Sequence, residues 1–163
     1  MSGAGAASLL PAARRVQEAL AAAGSPAMVR EMPASTRTAA AAAEACGCEV
    51  GAIVKSLIFR DALTGQGVLI LVSGANRVHE KRLGRRLGAT LERADADFVR
   101  ETTGYAIGGV PPLGHATRLR TVMDPDLSAF ATVWAAAGTP FTVFPVAPAD
   151  LARLTGAEIA EVG

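Results

Sequence analysis

Ala52-Ile-Val-Lys-Ser-Leu-Ile-Phe-Arg60, followed by Thr64-Gly-Gln-Gly67 and Val68-Leu-Ile-Leu-Val-Ser73, is the stretch on which the fold turns. In an extended chain Ile53, Lys55, Leu57 and Phe59 share one face, and Val54, Ser56, Ile58 and Arg60 share the other. The glycine-rich segment closes a hairpin, and 68–73 returns as a nearly all-apolar strand, the pattern of a strand covered on both faces. Lys55 stands in the apolar row. Either its stem carries the ammonium past an edge to water, or the ammonium projects into a cavity.

Upstream, residues 8–23 read as a helix, with Leu9, Ala13, Val16, Leu20 and Ala23 on one face and Gly24 as its stop. Val29 and Met32 suggest a short strand before Pro33. A second helix is expected over 36–46, capped by Ser35 or Thr36 and stopped by Gly47. Downstream, Gly74-Ala75-Asn76-Arg77 leads into a basic helix over 80–87 ended by Gly88. A short strand at 90–93 follows, then a helix capped by Asp95 that carries Phe98 and Val99. Residues 118–123 read as a strand. Asp124-Pro125 opens a short helix, because proline suits the first helical position. Val133 to Ala136 and the Phe141–Val146 segment form a second hairpin, and 148–155 a closing helix. Hairpins interleaved with single helices indicate an α+β fold on a mixed sheet. Residues 1–7 read as a frayed tail and residues 8–163 as one domain.

The chain has 163 residues, half of them hydrophobic and only 4% aromatic, which suits close-packed helices on a sheet. A net charge of +1 gives no overall basic field, although Arg77, His79, Lys81, Arg82, Arg85 and Arg86 make a local patch. That patch is either a solvated helix face or a contact for phosphates. No apolar run reaches membrane-spanning length, and the N-terminus lacks the basic lead-in of a signal peptide. Cys46 and Cys48 have no second pair with which to build a zinc site; free thiols in a reducing cytoplasm are expected, with no metal and no cofactor.

The remaining chemistry gathers in Gly104-Tyr-Ala-Ile-Gly-Gly-Val-Pro-Pro-Leu-Gly-His115. Tyr105 to Ile107 could close a short strand. Gly108 and Gly109 then permit backbone angles closed to other residues, and Pro111 and Pro112 stiffen the end of the loop. The loop is either a tight turn or a place where bare amides meet a ligand carbonyl or phosphate. No nucleophile elbow, zincin, Walker or dinucleotide motif is present, and Ser56 and Ser73 have no evident base. The set suits recognition of an anionic or ester-bearing ligand by positioning.

Taken in order, these segments resemble the YbaK/ProX family, stand-alone relatives of the editing domain of bacterial prolyl-tRNA synthetases. The resemblance rests on Val54-Lys55-Ser56-Leu57-Ile58-Phe59 and Ser73-Gly74-Ala75-Asn76-Arg77-Val78 with Lys81. It continues through Leu87-Gly88-Ala89, Thr103-Gly104-Tyr105, Gly108-Gly109-Val110-Pro111-Pro112 and Gly114-His115. Asp124-Pro125-Asp126-Leu127, 133–140 and Leu154-Thr155-Gly156-Ala157 complete it. It implies a mixed, barrel-like sheet flanked by helices and a cytoplasmic deacylase acting on mischarged tRNA, often tRNA for proline carrying a small amino acid.

By that likeness Lys55 is the essential lysine, orienting the ester or holding the terminal adenosine's phosphate. Gly108 and Gly109 would bind the ester carbonyl, and His115 would line the amino-acid pocket. Ser56, Ser73, Asn76 and Pro112 would border the substrate, while Arg77, Lys81 and Arg82 would meet the acceptor stem. A prolyl-tRNA synthetase is an expected partner. Some members carry asparagine where Ser56 stands, so the removed group stays open among alanine, cysteine, serine, threonine and 2-aminobutyrate. A tRNA- or synthetase-binding module without turnover, and a hydrolase of small esters, are the alternative readings.

Overall fold

Strand alternation over 53–61 works because both faces of that strand are covered. A computed structural model describes residues 9–163; the tail expected over 1–7 and the helix start at Ser8 lie outside the described residues. Strand β2 (Ile53–Asp61) pairs antiparallel with β3 (Gly67–Ser73), setting Lys55 opposite Val72 and Ser56 opposite Leu71. Every residue of β3 is buried, as its apolar run requires.

Around this hairpin the sheet runs β1–β7–β6–β2–β3–β5–β8, with β4 on the far end of β2. The other strands are β1 (Arg30–Glu31), β4 (Leu91–Arg93), β5 (Arg120–Met123), β6 (Val133–Ala136), β7 (Thr142–Val146) and β8 (Glu158–Ile159). Pairs β2/β6, β3/β5 and β5/β8 are parallel and the rest antiparallel, so the sheet is mixed. The short β8 carries no sequence signal of its own.

The helices are α1 (Pro11–Ala22), α2 (Ala39–Cys46), α3 (Glu80–Leu87), α4 (Ala96–Thr103) and α5 (Pro148–Thr155). The even residues Val54 and Ile58 of β2 join Leu69 and Leu71 under α1, α4 and α5, which contribute Val16, Leu20, Val99 and Leu151. Phe59, Val68, Ile70 and Val72 turn the other way, against Leu83 and Leu87 of α3. Ile53 packs on Ala42 and Ala43 of α2. Lys55 thus lies in a row covered by α2 at one end and by α3 at the other, between the two helices. None of the described helices is long and apolar enough to cross a membrane.

Three local expectations are corrected. α1 begins at Pro11, whose missing N–H costs nothing at the first helical position. α2 begins at Ala39 with Thr38 as its cap, since Thr36 is spent elsewhere: its N–H and hydroxyl both donate to the Pro140 carbonyl, at 2.6 and 2.9 Å. Residues 105–107 are not a strand. The Tyr105 N–H bonds the Thr103 hydroxyl, the Tyr105 hydroxyl donates to the Gly114 carbonyl, and the chain turns at Gly108.

Candidate active site

The edge of β2 away from β3 is shared by two partners. β6 pairs with Ile53 and Val54, β4 with Phe59 to Asp61, and among the described residues no strand pairs Lys55 to Ile58 on that side. A cavity of about 680 Å³ opens in this gap, which explains why residues from both faces of β2 line it. Ile53 accepts the Gly74 N–H and the Asp61 N–H donates to Gln66, so the odd residues turn their peptide groups toward β3. Ser56 therefore turns its own N–H and C=O toward the opening.

Two side chains of this segment are chemically pointed. Lys55 donates from Nζ to the Asn76 carbonyl at 2.5 Å, so the ammonium is tethered at the cavity rather than carried out to water. Burial pushes its pKa down, the Arg77 guanidinium pushes the same way, and the Asp124 carboxylate opposes both. The Ser56 Oγ is buried and has no hydrogen-bond partner among the described residues, a costly state for a hydroxyl unless a ligand or water completes it.

The tether is held from below. Asp124 is 1% exposed, and its carboxylate accepts from the Ser73 N–H (3.1 Å), Asn76 Nδ2 (2.9 Å) and the Asp126 N–H (2.9 Å). Asn76 Nδ2 also bonds Asp126. Ser73, itself buried, donates its hydroxyl to the Gly51 carbonyl at 2.7 Å. Ser73 and Asn76 build the loop that positions Lys55; neither lines the cavity. Asp124 does what its sequence suggested, capping the following 3-10 turn, and also carries this loop.

On the other wall, Ala106 to Gly109 is a hydrogen-bonded turn: the Gly109 N–H donates to the Ala106 carbonyl at 3.0 Å. Gly108 has φ +94°, the reason glycine is needed there, and its N–H has no partner among the described residues. The expectation of two free amides is corrected to one. Gly109 has a packing role: a Cβ there would stand 2.9 Å from the Thr139 backbone, and its carbonyl takes the Gly138 N–H at 2.8 Å.

Lys55, Ser56, Gly108 and Arg77 all border the cavity. Gly109, Pro112 and His115 stand outside its lining. Pro112 is buried, and His115 Nε2 lies 2.6 Å from the Pro111 carbonyl, with burial lowering the imidazole pKa against that bond. Lys81 and Arg82 are exposed on the first turn of α3, directly after the cavity residue Glu80. Glu80 pairs with Arg93 at 3.5 Å.

Sequence reasoning passes over Arg37 and Trp134. Arg37 falls inside a helix that in fact begins later; Trp134 comes from a strand whose hairpin partner β7 is legible in the sequence, but whose parallel partner β2, which brings it to the cavity, is not. Both border the cavity, and Arg30 lies 5.1 Å over the Trp134 ring. Among the described residues no cluster of three or more histidine, cysteine or acidic side chains could hold a metal. Cys46 and Cys48 are half-buried free thiols, and burial, with the neighbouring Cys48, raises Cys46 to about 11.

Residues 33–154 match the family model of the aminoacyl-tRNA editing domain. The chain is 31% identical over 134 residues to the protein YwhH of Bacillus subtilis, covering 80% of this chain and 83% of that one. It is 27% identical over 126 residues to an Enterococcus faecalis protein named "Putative Cys-tRNA(Pro)/Cys-tRNA(Cys) deacylase EbsC", covering 77% and 76%. A crystal structure of "a putative trans-editing enzyme for prolyl tRNA synthetase" superposes with TM-score 0.89 at 50% identity, over 94% of this chain and 98% of that one.

Proposed function

The chain belongs to the aminoacyl-tRNA editing domain family, and from that premise we propose that it is a cytoplasmic, trans-acting deacylase. Its substrate would be tRNA for proline mischarged with a small amino acid such as alanine, cysteine or 2-aminobutyrate. The observation that carries the reading is Lys55, tethered at 2.5 Å to Asn76 at the mouth of a cavity cut into the sheet edge. The buried residues of its lining include Ala42, Val99, Ala135 and Val143, small or branched groups suited to a short side chain. Such a wall separates near-isosteres by only about 10- to 200-fold, so the identity of the amino acid is an experimental question.

The reaction is hydrolysis of the ester between the amino acid and the terminal ribose. Water adds to the carbonyl carbon, the carbon–ribose oxygen bond breaks, and the free amino acid and the tRNA hydroxyl leave. The Gly108 N–H would bind the carbonyl oxygen as it becomes an oxyanion. One such donor contributes about 3–4 kcal/mol to other hydrolases. Lys55 would orient the ester beside it, and the Ser56 hydroxyl and peptide group would bind the acyl part. Arg77, Lys81 and Arg82 would face the acceptor strand, and His115 and Pro112 would support the glycine loop. A prolyl-tRNA synthetase is the proposed partner.

Single-turnover hydrolysis of a panel of mischarged tRNAs tests this, comparing the wild type with Lys55→Ala. Rapid loss of one small aminoacyl group, abolished by the substitution while the thermal melt is kept, is the expected result. Equal rates for the two proteins, or no hydrolysis by the wild type, would overturn it. Retained tRNA binding in that case would favour a binding module.

A further inference from the structure

The turn between β6 and β7 holds two segments at once. Thr36 donates twice to Pro140, and Gly109 accepts from Gly138. Thr38, two residues on, caps α2. Arg37 is thus fixed between two anchored threonines and beside the glycine loop. Its side chain crosses Gly108 so closely that a Cβ there would stand 2.9 Å from Arg37 Nε and 3.0 Å from its Cγ. The guanidinium borders the cavity, is exposed, and has neither a carboxylate nor a carbonyl partner among the described residues. Arg93, another cation of the rim, is paired with Glu80, and Lys55 is tethered to Asn76.

We propose that Arg37 is a positioning residue that grips the phosphate on the 5′ side of the terminal, esterified nucleoside. This rests on the deacylase reading above and divides the labour within it. A planar guanidinium offers a two-pronged fit to phosphate oxygens that a lysine ammonium does not. Lys55, engaged with Asn76 and next to the strand edge, is left for the ester. Arg37 seated on Gly108 also links phosphate binding to the turn that presents the Gly108 amide.

The test uses two small esters of the amino acid that the wild type removes fastest: the 3′-O-aminoacyl adenosine and the same ester carrying a 5′-phosphate. Wild type should favour the phosphorylated ester in kcat/KM by about ten- to a hundredfold, the range for a charged hydrogen-bonded contact. Arg37→Ala should erase that preference, bringing kcat/KM for the two esters together through a larger fall on the phosphorylated one, and Arg37→Lys should restore part of it. On intact mischarged tRNA the slope of log binding against log salt should fall by about 0.7, one contact to a single strand. A preference that survives Arg37→Ala overturns the assignment, as does an equal loss on both esters, which would make Arg37 a support of the pocket alone. Absence of hydrolysis by the wild type on esters and tRNA alike marks instead the failure of the deacylase reading.

Discussion

Asp124→Ala removes a carboxylate that touches no part of the cavity, yet it should cost both stability and activity. Three donors converge on this side chain: the Ser73 N–H, Asn76 Nδ2 and the Asp126 N–H. Asn76 keeps a partner in Asp126, and the Asp126 N–H lies near water. Ser73 is 2% exposed, so its N–H is left buried without an acceptor. That vacancy costs about 1–3 kcal/mol and the lost cap about 1 kcal/mol, together roughly 2–4 kcal/mol. For a domain of this size the melting temperature should fall by roughly 4–16 °C, read by thermal circular dichroism. Asp124→Asn, which keeps a capping oxygen, should lose less. Activity should fall in both, because Asn76 no longer holds a fixed carbonyl for Lys55. The carboxylate also raises the Lys55 pKa against burial and Arg77, so its removal lets that pKa drop further. If the ammonium is the working form, the alkaline limb of the Asp124→Asn rate profile moves to lower pH. A melt within about 2 °C of wild type together with an unchanged profile would refute the reasoning.

Three other outcomes are expected. Gly109→Ala should destabilise by about 1–3 kcal/mol in urea unfolding, since its Cβ meets the Thr139 backbone, whereas Gly108→Ala, facing a movable arginine, pays mainly for its positive φ. His115 has a pKa below 6.5 in the folded state because of burial, so the unfolded chain takes up the proton first. Stability should then sag as pH falls below 6.5, and unfolding curves of His115→Gln should show a smaller sag over the same window, above the range of the carboxylates. Cys46, raised from 9.0 to about 11, should carry roughly a hundredfold less thiolate than an unshifted thiol at neutral pH. Its alkylation by iodoacetamide, followed by mass spectrometry, should be correspondingly slow and should quicken on unfolding.

The sequence was most legible where a local rule decides the outcome. The period of two over 53–61, the glycine stops at 47 and 88, and the aspartate caps at 95 and 124 all describe groups settled by their nearest neighbours. The boundaries that slipped were those settled from afar. Thr36 looks like a helix cap, but its hydroxyl and N–H are taken by Pro140, 104 residues away in sequence, and the cap passes to Thr38. The same displacement hid Arg37. Residues 105–107 have strand composition and no sheet edge to join.

What the sequence determined by itself was the alternation that puts Lys55 in an apolar row and the mixed order of hairpins and helices. Those follow from backbone geometry and the burial of apolar faces. Whether the lysine reaches water or a cavity was decided only by the tertiary fold. β6 leaves β2 after Val54 and β4 joins it at Phe59, and the unpaired edge between them is the opening. Such a gap belongs to no residue type; it arises from where three distant strands end relative to one another, and it is in that gap that Lys55, Ser56, Gly108 and Arg37 meet.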